Sequence, residues 1–413
     1  MNLEGGAEFV PLTAAAFDDL TESEELDYLS AGWTDVEVST FSELVEHKAL
    51  PNIVRLRLGK NRIGDAGIER LATMLVSAAL PQLKELDLDR NAFGDVGMQA
   101  LVAACKSSTF PLLCKLSAAA NKISEAGAAA LASALGSTQL SQLAFIDLNA
   151  NSVGDSGLIE LANVIGQGSC TQLTHLYLSR NSIGNSGVIG FARALEGSLS
   201  RGVDPLPRLY ELWLSNNALT DESAVCLFSA LGKGAIKGLG DIRLQFNRLG
   251  DASVAALVDI MNASALSNLW YLGLSDNCFT DAGLQMLEDA IDSAMHKYLN
   301  FSRKFLAISL SDFASEFLRN SSFKAIASQR VSNEPSSYIY AVLVAIGAPE
   351  FLHGSGRVRD LPLPSTANHC VSLTGTPLAA TQRSMPKPNI DNLDTSDTTA
   401  DVKTWDGSPL TRY

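Results

Sequence analysis

Residues 143–165, LAFIDLNANSVGDSGLIELANVI, change hydrophobic period halfway along. Ile146 and Leu148 flank Asp147 in the alternation of a short strand with one inward face, and Leu143 precedes them by three residues. Leu158, Leu161 and Ile165 then recur at steps of three and four, the period of a helix with one apolar stripe. Asn151 stands between the two patterns. The same residue returns as Asn61, Asn91, Asn121, Asn181, Asn217, Asn247 and Asn277, so that the eight copies are spaced by 30, 30, 30, 30, 36, 30 and 30 residues. Apolar residues sit eight, five and three positions before each one: Ile53, Leu56 and Leu58 in the first copy, Leu173, Leu176 and Leu178 in the fifth, Leu269, Leu272 and Leu274 in the last. The third copy is the weakest, with Leu113, Leu116 and Ala118.

Each part of the unit has a physical task. An Asn side chain both donates and accepts, so at a buried bend it can pair backbone groups that neither helix nor sheet satisfies. Four residues on, an acidic group (Asp65, Asp95, Glu125, Asp155, Asp221, Asp251, Asp281) falls where it can cap the helix, with Asn185 in that place in the fifth copy. Two residues later Gly67, Gly97, Gly127, Gly157, Gly187 and Gly283 mark a close approach that only hydrogen fits, with Ser223 and Ser253 as small replacements. A strand and helix of this size cannot bury their apolar faces alone. Successive units must therefore stack into one parallel sheet with the helices as an outer layer.

The pattern L-x-x-L-x-L-x-x-N-x-L resembles the leucine-rich repeat, and units of about 30 residues with a full helix resemble its ribonuclease-inhibitor-like subclass. The resemblance covers roughly residues 51–294. It implies an α/β solenoid of about eight repeats, a horseshoe with an inner parallel sheet and outer helices, and a habit of binding proteins rather than a particular ligand.

The rest of the chain is read against that solenoid. Residues 1–50, with 1 basic and 12 acidic groups, are expected to be an acidic N-terminal region and cap: a helix over Ala14–Leu29, a degenerate strand at Val36 and Val38, then a helix carrying Phe41, Leu44 and Val45. Residues 295–348 carry Tyr298, Phe301, Phe305, Phe313, Phe317 and Phe323 and are expected to be a helical C-terminal cap. Residues 349–413, rich in Pro, Ser and Thr, are expected to be a disordered tail.

Composition excludes several classes of function. The chain has 413 residues, 46% of them apolar, and a net charge of −14, without the positive clusters that give nucleic-acid affinity. No run approaches the ~20 apolar residues of a membrane-spanning helix, and no signal peptide is legible, so a cytoplasmic location is expected. The six Cys residues form no C-x-x-C pair, and no metal, cofactor or catalytic motif is recognisable. One enzymatic alternative shares the repeat type: the sequence is similar to Ran GTPase-activating proteins, which bring a positioned Arg to a GTPase. Arg55, Arg57, Arg62 and Arg90 are the residues that such an activity would draw on. The chain departs from that family in lacking a long acidic C-terminal tail.

Strand positions six, four and two before each Asn face the concave side of such a solenoid. There the last five repeats place Phe145, His175, Tyr177, Glu211, Trp213, Asp241, Arg243 and Tyr271. Aromatic residues anchor interfaces by burying much area at small entropic cost, although they also suit strands and pair across them without any partner. The expected function is a non-enzymatic adaptor or scaffold that binds another protein on this face. Glu211, Asp241 and Asp147 favour a partner with a basic surface.

Overall fold

The computed structural model describes residues 20–47, 49–105, 107, 113–136, 140–263, 265–298 and 307–309. Ten three-residue strands form one sheet: β1 Glu25–Asp27, β2 Arg55–Arg57, β3 Glu85–Asp87, β4 Lys115–Ser117, β5 Phe145–Asp147, β6 His175–Tyr177, β7 Glu211–Trp213, β8 Asp241–Arg243, β9 Tyr271–Gly273 and β10 Ala307–Ser309. They lie in sequence order, every neighbouring pair is parallel, and the register aligns equivalent repeat positions, as in Leu56 with Leu86 and Ile146 with Leu176. The returning helices are α1 Asp35–His47, α2 Asp65–Val76, α3 Asp95–Ala104, α4 Glu125–Leu135, α5 Gly154–Gly166, α6 Asn185–Ser200, α7 Asp221–Gly232, α8 Asp251–Asn262 and α9 Asp281–Tyr298. Each helix packs on the next, which is the horseshoe solenoid expected from the repeat.

The core is a set of stripes, one residue per repeat. The central strand residues Leu56, Leu86, Leu116, Ile146, Leu176, Leu212, Ile242 and Leu272 are all at most 2% exposed. The inner helix residues, such as Ile68, Leu71 and Leu75, are fully buried against them. Truncating one such Leu to Ala costs ~2–5 kcal/mol, because neighbouring repeats collapse only partly into the gap. The 36-residue unit is absorbed by lengthening α6 to 16 residues and by the loop after it, which leaves the strand register intact.

The Asn residues do what their chemistry predicts. Asn151 Nδ2 donates to Ala118 O at 2.9 Å and Leu148 O at 3.1 Å, while its Oδ1 accepts from Ile123 N at 3.0 Å. Each Asn thus joins its own bend to that of the preceding repeat, and Asn181 is wholly buried. The acidic residues act differently from expectation. Asp65, Asp95, Asp155, Asp221 and Asp251 each lie at the start of their own helix, yet the carboxylate accepts from the helix start of the following repeat. Asp65 Oδ1 accepts from Gly94 N at 2.7 Å and Gly97 N at 2.8 Å, and Asp155 Oδ1 from Gly184 N at 2.6 Å and Gly187 N at 2.9 Å. Asn185 fills the same place, its Oδ1 accepting from Thr220 N at 2.9 Å. Stacking puts a carboxylate nearer to the neighbour's free N–H groups than to those of its own helix, so capping here is a bond between repeats. The glycines follow from it, since a Cβ on Gly187 would lie 2.6 Å from Asp155 Oδ1.

The repeats begin earlier than the Asn series indicates. Within the expected helix over Ala14–Leu29, residues 25–27 are instead strand β1, because Leu26 (2% exposed) stacks on Leu56 and backbone pairing to β2 outweighs local helical propensity. Residues 1–19 lie outside the described residues. Val36 and Val38 belong to helix α1 rather than a strand: Val38 is buried and Val36 exposed, as the helical period requires. Phe41 and Val45 are buried on that helix, where Phe41 meets a Tyr28–Trp33 stack with ring centroids 4.2 Å apart. At the other end, α9 runs past residue 294 to Tyr298, and β10 adds a parallel strand within the segment expected to be helical. Phe301, Phe305, Phe313, Phe317, Phe323 and the tail from 349 to 413 lie outside the described residues.

Candidate functional site

Parallel pairing in register brings the eight candidate side chains onto one face of β5–β9. Adjacent strands lie ~4.8 Å apart, so Phe145 and Tyr271 bound a surface about 19 Å wide. Tyr177, Trp213 and Arg243, at equivalent positions of consecutive strands, form a closely packed line. The Tyr177 and Trp213 rings stack at 3.6 Å and 10°, the Arg243 guanidinium covers the other side of Trp213 at 3.8 Å, and it also approaches the Tyr271 ring at 5.1 Å. Phe145 extends the series, its ring 5.0 Å from Tyr177 and 5.3 Å from His175.

The acidic members lie beneath these rings. Glu211 is 5% exposed and Asp241 is fully buried. Tyr177 Oη donates to Glu211 Oε2 at 2.6 Å, and His175 Nε2 lies 3.6 Å from Oε1. Burial pushes the Glu211 carboxyl up, but the bonds from His175 and Tyr177 outweigh it and hold the group below its ordinary pKa. Asp241 accepts two bonds from Arg243, to Oδ2 at 2.9 Å from Nη2 and at 3.1 Å from Nε. Its desolvation is strong enough that the pKa is still pushed up to about 6. Asp147, also desolvated, is raised to about 7, with Asp89 and Asp87 adding repulsion.

Two of the three carboxylates that suggest a basic partner, Glu211 and Asp241, are engaged within the chain by Tyr177, His175 and Arg243. The result is a packed aromatic and guanidinium layer over the two buried acids, in which Tyr177 is itself only 8% exposed and Trp213 and Arg243 are half-buried. Three further concave residues, outside the eight candidates, contribute. Lys115 Nζ sits 4.6 Å over the Phe145 ring, Ser215 Oγ donates to Gln245 Oε1 at 2.7 Å, and Gln245 Nε2 donates to Tyr271 Oη at 3.1 Å. The signal was present, since each occupies a concave strand position, but position alone does not say which neighbour a side chain will choose.

The arginines of the GTPase-activating alternative lie at the other end of the sheet. Arg55 pairs with Glu25 at 3.3 Å, and Arg57 pairs with Glu25 at 2.9 Å and with Asp27 at 3.5 Å. Arg62 and Arg90 are exposed in the turns after β2 and β3. Among the described residues, no group of His, Cys, Asp and Glu is arranged to hold a metal ion, and no helix is long and apolar enough to cross a membrane.

A leucine-rich repeat family model matches residues 49–72, 80–102, 169–192 and 265–287. Among solved structures, an internalin from Listeria monocytogenes is similar at 18% identity and a TM-score of 0.34, over 67% of this chain and 70% of that one. No curated protein matches the chain.

Proposed function

We propose that this leucine-rich repeat chain is a non-enzymatic adaptor or scaffold that binds a partner protein across the concave side chains of β5–β9. One observation carries the reading: Tyr177, Trp213 and Arg243 pack on one another within the chain, so a binding protein would meet side chains that have little entropy left to lose. Leucine-rich repeats generally mediate protein–protein contact, which supports the same reading. Spacings near 30 residues, with helices of 10 to 16 residues between β2 and β9, favour the ribonuclease-inhibitor-like subclass. The proposed setting is the cytoplasm, where thiols such as Cys105 and Cys170, packed in the core with pKa values pushed up by burial to about 12 and about 11, stay reduced.

Capture of partners from cell extract by the intact chain tests this, with Trp213→Ala and, at the patch edges, Phe145→Ala and Tyr271→Ala. The main partner is expected to be lost with Trp213→Ala and weakened less by the edge variants. Retention of every partner by a folded Trp213→Ala, or binding that maps to the helical face, would refute the concave site. A parallel GTP hydrolysis assay with a panel of small GTPases addresses the alternative. Acceleration that disappears with Arg62→Ala or Arg90→Ala would replace this proposal with that one.

A further inference from the structure

The turns that follow the strands present two rows of side chains that the concave site does not use. One row holds the residue before each Asn and the other the residue after it. Both rows are laddered by backbone bonds: Lys60 N donates to Asp89 O and Arg180 N to Ser215 O in the first, Lys122 N to Phe93 O and Arg248 N to Leu219 O in the second. Successive repeats therefore set equivalent side chains side by side along one edge of the sheet.

The charge on this edge is opposite to that of the chain. Lys60, Arg62, Arg90, Lys122, Arg180 and Arg248 are all exposed there, against the single acidic residue Asp276, in a chain of net charge −14. These six are one third of the eighteen basic residues between 51 and 294. Charges scattered only for solubility would show both signs on such an edge.

The first row is left-handed at every repeat, with φ of 56° at Lys60, 54° at Arg90, 57° at Arg180 and 55° at Phe246, and equally 53° at Ala120 and 54° at Ala150 and Asn216. The turn conformation belongs to the repeat itself, and the sequence decides what it carries: long cationic side chains at three positions and, at Phe246, a ring that is 56% exposed.

We infer that this turn edge, running from Lys60 and Arg62 to Phe246 and Arg248, is a second docking surface and that its occupant is an extended acidic segment of a partner protein. The six strand steps from β2 to β8 span about 29 Å, the length of about nine extended residues at ~3.3 Å each. Carboxylates along such a segment meet the cations in turn, and an apolar residue at one end meets Phe246. Nucleic acid fits less well: the fourth and sixth repeats carry no cation on either row (Ala150 and Ser152, Asn216 and Ala218), a gapped spacing that a peptide with interspersed carboxylates can match and an unbroken row of phosphates cannot. The inference does not rest on the concave site.

The test uses the full-length protein and a fluorescent ten-residue peptide rich in Glu with one Phe near its C-terminus, followed by anisotropy at low and physiological salt. A lysine-rich peptide and a single-stranded DNA decamer serve as comparison probes. Binding of the acidic peptide is expected, weakening at higher salt and falling roughly tenfold or more in the triple variant Lys60→Glu/Lys122→Glu/Arg180→Glu, with the far-ultraviolet circular dichroism and melting curve retained. Trp213→Ala is expected to leave this binding unchanged, which separates the edge from the concave site. Absence of binding, equal binding by a folded triple variant, tighter binding of the DNA than of the peptide, or loss with Trp213→Ala alone would each overturn the proposal.

Discussion

Removing the amide of Asn151 isolates the bond that joins one repeat to the next. In Asn151→Ala four contacts go at once: the donations to Ala118 O and Leu148 O, a longer one to Asn149 O at 3.4 Å, and the acceptance from Ile123 N. Asn151 is 8% exposed, so water reaches the stranded groups poorly. A buried polar group left unpaired costs ~1–3 kcal/mol. Partial relaxation of these carbonyls and one amide gives an expected loss of about 3 kcal/mol. Leu at this position is expected to do no better, since it fills the volume and satisfies nothing. Asn121 supplies the control. Its Nδ2 donates to Leu88 O at 2.9 Å and Ala118 O at 3.1 Å, but its Oδ1 has no partner among the described residues. Asn121→Ala therefore forfeits the donations alone and is expected to cost about 1 kcal/mol less. Equilibrium urea denaturation of the three variants, read by circular dichroism, measures both differences. An unchanged midpoint for Asn151→Ala, or a larger loss for Asn121→Ala, would refute the account of the ladder.

Other expectations follow from the same contacts. Gly187→Ala is expected to destabilise by ~1–3 kcal/mol in urea titration, because its Cβ would meet Asp155 Oδ1 at 2.6 Å and Asp155 Cα at 3.0 Å; a neutral result would show that the inter-repeat cap yields easily. Trp213→Ala is expected to lower the melting temperature measurably, by the equivalent of about 1–2 kcal/mol, since it empties the space between Tyr177 and Arg243, so its loss of binding must be judged against Phe145→Ala at a matched temperature margin. For Asp147, whose folded carboxyl holds its proton to about pH 7 against ~4 when unfolded, the folded chain binds more protons between those values, so this group's contribution makes stability fall as pH rises from about 4 to 7. Denaturation midpoints of Asp147→Asn across that range are expected to lack this part of the slope, and a slope identical to that of the parent chain would show that the group titrates normally.

The amino-acid sequence by itself determined the repeat, its parallel sheet and the face on which Trp213 lies. These follow from periods in a single chain: two in the strand, 3.6 in the helix and about 30 in the stack. The role of the Asn could be read in advance because an amide has both donor and acceptor and the bend has need of each. The degenerate first unit was hidden, with Ala31 in the place of Asn and Tyr28 in the place of Leu, and only pairing with β2 identifies Leu26 as a core residue. Only the tertiary structure decided who bonds to whom across repeats. Asp155 caps the following helix rather than its own, and Glu211 and Asp241, read from the sequence as acids of the concave face open to a basic partner, lie buried beneath an aromatic and guanidinium layer. Sequence separation assigns a residue to a face, whereas its partner is chosen by side-chain reach across a ~4.8 Å strand gap and by the cost of leaving a charge unpaired, and both of those arise only when neighbouring repeats are stacked.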